Sequence, residues 1–135
     1  MPTVTKFEDL EIWQLARKVE QFTFELTNKE LLSRDYKLKN QMNDSSCSIM
    51  SNIAEGFGRG SRLEFINFLS FSKGSAAELQ SQYYNCLDRK YIEEGAFNEI
   101  YQMIEIVIKK TAAFMAYLNQ SEKKGQKFQN RKNNQ

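Results

Sequence analysis

Apolar residues recur at every third or fourth position through most of this chain, and its only proline is Pro2. That spacing is the mark of amphipathic helices; the two-residue alternation of strands is hard to find. A proline inside a helix removes a hydrogen bond and clashes with the preceding turn, so a chain without internal prolines can keep its helices long. The sequence has 135 residues, enough for one domain with one modest core.

Four helices can be placed. The first carries Ile12, Leu15, Val19, Phe22 and Leu26 as a stripe widened by Leu10, Trp13 and Ala16, and ends near Thr27–Asn28. A start near Asp9 competes with a capping box at Thr5–Glu8. The second is expected from Asp35, a candidate N-cap, to Phe57, with a stripe of Leu38, Met42, Ser45, Ile49, Asn52 and Gly56. Gly56, Gly58 and Gly60 are then expected to break it. They resemble a phosphate-cradling loop only superficially, because no strand precedes them. Ser61 and Glu64 form a capping box that opens the third helix, Arg62 to Tyr91. There Leu63, Phe65, Ile66, Phe68, Leu69 and Phe71 point to all sides of the axis, which predicts burial on all sides and hence contact with another subunit. The fourth helix, Ala96 to Leu118, has the seam Ile100, Ile104, Val107, Thr111, Phe114 and Leu118. Short links such as Glu93–Gly95 make neighbours antiparallel. The expected fold is all-α, an up-down-up-down four-helix bundle over residues 1–120.

Composition narrows the chemistry. There is no histidine, so the commonest general base and metal ligand are both missing. Cys47 and Cys86 match no metal or redox spacing, which suits a reduced, cytoplasmic setting. No apolar run is long enough for a membrane span, and no signal-peptide pattern stands at the N-terminus. Net charge is +2, but residues 121–135 hold five basic residues against Glu122 alone, or +4, leaving −2 for residues 1–120. This Asn- and Gln-rich tail is expected to be disordered. Its Lys123, Lys124, Lys127, Arg131 and Lys132 are either candidate RNA phosphate contacts or a solubilising run without a partner.

A set of landmarks carries a family resemblance: Phe7–Leu10 with Ile12, Trp13 and Ala16; Gln41; Ser48 and Ile49; Asn52–Gly56 with Gly58 and Arg59; Glu64 and Phe65; Phe68 and Leu69; Gly74 and Ser75 with Glu78 and Leu79. In this order, over roughly residues 7 to 118, the chain resembles the four-helix-bundle proteins of 23S ribosomal RNA intervening sequences. The resemblance implies a ring-like homopentamer, with Leu63, Phe65, Ile66, Phe68 and Phe71 as candidate subunit contacts. It implies little about activity; with no histidine and no apolar span, no enzymatic activity, cofactor, small-molecule substrate or membrane association is expected. RNA or the ribosome is the implied partner. Two departures matter: Asn43-Asp44 stands where the family has a basic pair, and Met50 where it commonly has proline. The first weakens an RNA contact from the second helix; the second predicts a straighter helix.

Asn52, Glu55, Gly56, Arg59, Ser75 and Glu78 admit two readings. One is a site in which two carboxylates, an arginine and an amide converge. The other, favoured, is a polar network that sets helix register and assembly. Glu55 and Arg59, at i and i+4, can pair if the helix persists. Function is therefore expected to be non-enzymatic, a homo-oligomeric binding or scaffold protein, with the tail and exposed Lys6, Arg17, Lys18 and Arg62 toward RNA. The alternative is a protein adaptor, similar to the accessory variability proteins that partner a reverse transcriptase.

Overall fold

The computed structural model describes the backbone of residues 3–133 and the side chains of residues 3–120. Helices α1 (Glu11–Thr27), α2 (Tyr36–Gly58), α3 (Arg62–Asp88) and α4 (Glu94–Asn133) follow one another, with short 3-10 turns at Phe7–Asp9 and Leu32–Arg34. Among the described residues there is no strand. Each helix packs on its chain neighbours and α1 closes against α4, giving a four-helix bundle. The α2–α3 interface is the most extensive and α1–α4 the slightest.

The core is one apolar cluster drawn from all four helices, including Ala16, Val19, Met42, Ile49, Ile53, Leu69, Leu79, Ile100, Ile104 and Val107. The α4 seam is placed as its periodicity requires, with Phe114 half-buried. In α1 the buried line runs through Ile12, Ala16, Val19, Thr23 and Thr27. Leu15, Phe22 and Leu26 sit half-buried beside it, packed on the core's edge. Two buried threonines stand in place of large apolar residues: Thr27 accepts from Asn43 Nδ2 of α2 at 2.9 Å, and Thr23 faces Tyr83 of α3, which fills the centre. Its hydroxyl and that of Thr23 share a buried hydrogen bond of 2.7 Å.

In α2, Ile53 takes the inward place expected of Asn52, which lies at the edge of the stripe. A strict heptad drifts about 20° per repeat from the 3.6-residue turn, which carries Asn52 toward the edge of the buried stripe while Gly56 stays within it. The glycines also differ from expectation. Gly56 and Gly58 remain helical, and the link turns only at Gly60, with φ of 73°. Gly56 is a packing glycine: a Cβ there would stand 2.7 Å from Phe68 Cβ and 3.0 Å from Phe65 Cδ1. Ser61 caps α3 by accepting from the Glu64 N–H at 3.4 Å.

Helix α3 ends at Asp88, three residues before the expected Tyr91. Lys90 adopts φ of 61°, and the Tyr91 N–H reaches Cys86 O at 2.8 Å while the Lys90 N–H reaches Leu87 O at 3.1 Å. Those two bonds make a Schellman ending with lysine in the place usually held by glycine. Asp35, the N-cap of α2, locks this corner. It accepts from Leu38 N at 3.4 Å, from Arg89 Nη1 at 2.8 Å and from the Tyr91 hydroxyl at 2.9 Å.

Candidate functional site

The motif residues of α2 follow the helical turn. Asn52, Glu55 and Arg59 succeed one another by three and four residues, so they share the flank of α2 that borders α3. Gly56 fixes how close that border is, because only the missing Cβ lets Phe65 and Phe68 of α3 lie against the α2 backbone. Arg59 then has two partners. Its Nη2 donates to Glu55 Oε1 at 2.9 Å, and its guanidinium lies 5.1 Å from the centroid of the Phe68 ring. Both members of the ion pair are about half exposed, so water screens them and the pair adds little stability.

Asn52 turns back on its own helix, donating through Nδ2 to Ser48 O at 2.8 Å. Ser75 of α3 is half-buried and Glu78 is exposed. Within the described residues no hydrogen bond joins either of them to Asn52, Glu55 or Arg59. The hydrogen bonds of the α2 members are thus local, and a buried one between α2 and α3 is made elsewhere. Ser72 Oγ, buried, donates to Ile49 O at 2.7 Å. Nothing in the spacing marked Ser72 out, since a serine in an apolar stripe reads as a small filler; only the facing carbonyl shows its use.

The five apolar residues proposed for subunit contacts divide. Phe65 is buried and meets Phe57 and Phe114 edge-on at centroid distances of 6.0 and 5.5 Å. It belongs to the chain's own core and cannot contact a partner. Ile66 and Phe68 are half-buried, and Leu63 and Phe71 are exposed at 63% and 52%. The outward face of α3, Leu63, Asn67, Ser70, Gly74, Ala77 and Ser81, is exposed throughout and uncharged, with exposed Glu78 at its edge. A Cβ at Gly74 would meet nothing within 4 Å, so no packing inside the chain calls for that glycine.

Of the basic residues, Lys6, Arg17, Lys18 and Arg62 are exposed, and the Arg17 guanidinium lies 5.8 Å from the Trp13 ring centroid. The side chains of Lys123, Lys124, Lys127, Arg131 and Lys132 fall outside the described residues. Among the described residues no three His, Cys, Asp or Glu side chains are grouped to hold a metal ion, and no helix is long and apolar enough to cross a membrane. The perturbed titrations serve structure. The Tyr91 hydroxyl beside Asp35 holds its carboxyl below the usual value, with Leu38 N–H and Arg89 adding to the effect and partial desolvation opposing it. Burial pushes the Cys86 thiol up to about 12.

Three comparisons bear on this geometry. A family model described as 23S rRNA-intervening sequence protein matches residues 8–113. A protein of unknown function from the S23 ribosomal protein family of Bacteroides thetaiotaomicron has a similar solved structure, at 20% sequence identity and a TM-score of 0.71. The likeness covers 78% of this chain and 95% of that one, and is one of fold. No curated protein matches the chain. The matched segment takes in α1, α2, α3 and the seam of α4 as far as Phe114's neighbour Ala113, together with Asn52, Glu55, Gly56, Arg59, Ser75 and Glu78. On that span the chain belongs to the family of 23S rRNA-intervening sequence proteins.

Proposed function

We propose that this protein is a non-enzymatic, homo-oligomeric scaffold that associates with RNA or a ribonucleoprotein. The observation that carries the reading is the outward face of α3: six exposed, uncharged positions in a row, flanked by the half-exposed Phe71. A helix facing only water ordinarily carries charge on that side. An exposed glycine in mid-helix costs about 1 kcal/mol relative to alanine, which close approach of a neighbour would offset. The ring-like pentamer implied by the family resemblance is one assembly that would cover this face.

RNA association draws on the family's name and on the exposed Lys6, Arg17, Lys18 and Arg62. It also draws on the +4 segment 121–135. The −2 body sets the terms: binding would be carried by few phosphate contacts, most of them from the tail. Two measurements test the proposal. Sedimentation equilibrium of the full chain should give a mass several times 15.8 kDa, and a monomer at all concentrations removes the scaffold. Titration with an rRNA fragment should give an affinity that falls steeply with added salt. No binding at low salt, or a flat salt response, removes the RNA partner.

A further inference from the structure

We propose that a second copy of this chain seats its Leu63 in the apolar groove between α1 and α4, so that copies join through two unlike surfaces. The proposal rests on the homo-oligomer reading and adds which surfaces meet.

The groove opens between the start of α1 and α4. It encloses about 470 Å³ and is walled by Val4, Leu10, Ile12, Ala113, Phe114 and Tyr117. It lies along the slightest of the four helix interfaces, and Tyr117 on its rim is half exposed. Nothing in the described chain fills it. Asp9 and Glu11 stand at the α1 side of the mouth and Lys110 at the α4 side, where it pairs with Glu11 at 2.6 Å.

Leu63 is the complementary feature. It is the most exposed large aliphatic side chain of the described residues, at 63%, and it stands at the first turn of α3 between exposed Arg62 and Glu64. The charges agree with docking in one orientation. With Arg62 toward Asp9 and Glu11, and Glu64 toward Lys110, each charge meets its opposite; turned over, each meets its like.

Position supports a second copy as the occupant. Phe65, half a turn from Leu63, packs edge-on against Phe114, which itself walls the groove. Knob and groove therefore lie at one level along the bundle. They occupy different sides of it, because α1 and α3 are diagonal neighbours while the groove borders α1 and α4. Two unlike patches joined in this way give a heterologous contact, which propagates from copy to copy. Patches at a common level give rotation with little rise, the condition for closing a ring.

The test uses Leu63→Asp and Ala113→Lys in the full chain; both positions are exposed, so both variants should keep the helical circular dichroism of the parent. Each variant alone should lose the oligomer, with association weakened at least about 30-fold, as for loss of a central anchor. Mixed in equal amounts they should form a dimer and stop there: one copy still has a knob and the other still has a groove. A parent oligomer that survives either substitution, or a mixture that stays monomeric, overturns the contact and leaves the scaffold standing. A parent chain that is itself monomeric overturns both.

Discussion

Two residues decide how tightly the helices meet, and they act in opposite ways. Gly56 lets α2 and α3 touch by lacking a side chain, since a methyl there would fall 2.7 Å from Phe68 Cβ. Gly56→Ala should therefore destabilise by about 1–3 kcal/mol through overpacking, although alanine is the better helix former by about 1 kcal/mol. A urea midpoint that falls at unchanged slope is the expected result. A rise would mean that propensity, and not the close contact, governs the position. Tyr83 acts by filling space and by its hydroxyl, which shares a buried 2.7 Å hydrogen bond with Thr23. Tyr83→Phe should cost about 1–2 kcal/mol because a buried hydroxyl is left alone. Adding Thr23→Val should recover much of that loss, and a double-mutant cycle without coupling would show that the bond is incidental.

Elements are joined at their ends by contacts that periodicity does not report. The corner formed by Asp35, Arg89 and Tyr91 ties the start of α2 to the end of α3, and it should be visible in the pH dependence of stability. The Asp35 carboxyl titrates below its ordinary 3.8, held down chiefly by the Tyr91 hydroxyl. A group depressed in the folded state contributes stability above its unfolded value and loses it as pH falls through the folded value. Asp35→Asn keeps a good N-cap while removing the charge. Its melting temperature should lie below the parent's at pH 6, and the gap should close as the solution is acidified below pH 3.8. A gap that is constant with pH would assign the effect to packing. This corner also marks what the sequence left unread. The four helices, their order and the α4 seam were legible because 3.6-residue periodicity survives any detail of packing. The end of α3 was not, because Lys90 holds a left-handed conformation that points to glycine when read from sequence. Gly56 and Gly58 misled in the reverse sense, reading as breakers while the helix runs through them. Of the motif residues only Glu55 and Arg59 pair and Asn52 bonds its own helix, whereas Ser72 and Ile49, for which the spacing offers no cue, make a buried bond between α2 and α3.

At the scale of the whole molecule the two thiols form a built-in probe of how the bundle opens. Cys47 is exposed on α2, its thiol raised mainly by partial burial, with Glu20 and Asp44 adding to the shift. Cys86 is buried, with its sulfur 3.4 Å from the sulfur of Met42 across the α2–α3 interface. Cys86 lies two residues before the end of α3, yet it is fully buried in the one continuous core, and the Asp35, Arg89 and Tyr91 corner holds that end in place, so its exposure is expected to need more than fraying. A thiol reagent at neutral pH should therefore modify Cys47 readily and Cys86 only when the bundle opens. In a Cys47→Ser background, labelling of Cys86 should be slower than in the unfolded chain by roughly 10³-fold or more, the range of a small domain's folding equilibrium. Its rate should rise with urea along the slope of global unfolding. A shallow slope would mean that α2 and α3 separate while the rest of the bundle holds. If copies assemble through Leu63 and the α1–α4 groove, labelling should also slow as protein concentration rises, because association withdraws the chain from the states that open. Leu63→Asp should abolish that concentration dependence while leaving the labelling of the dilute chain unchanged.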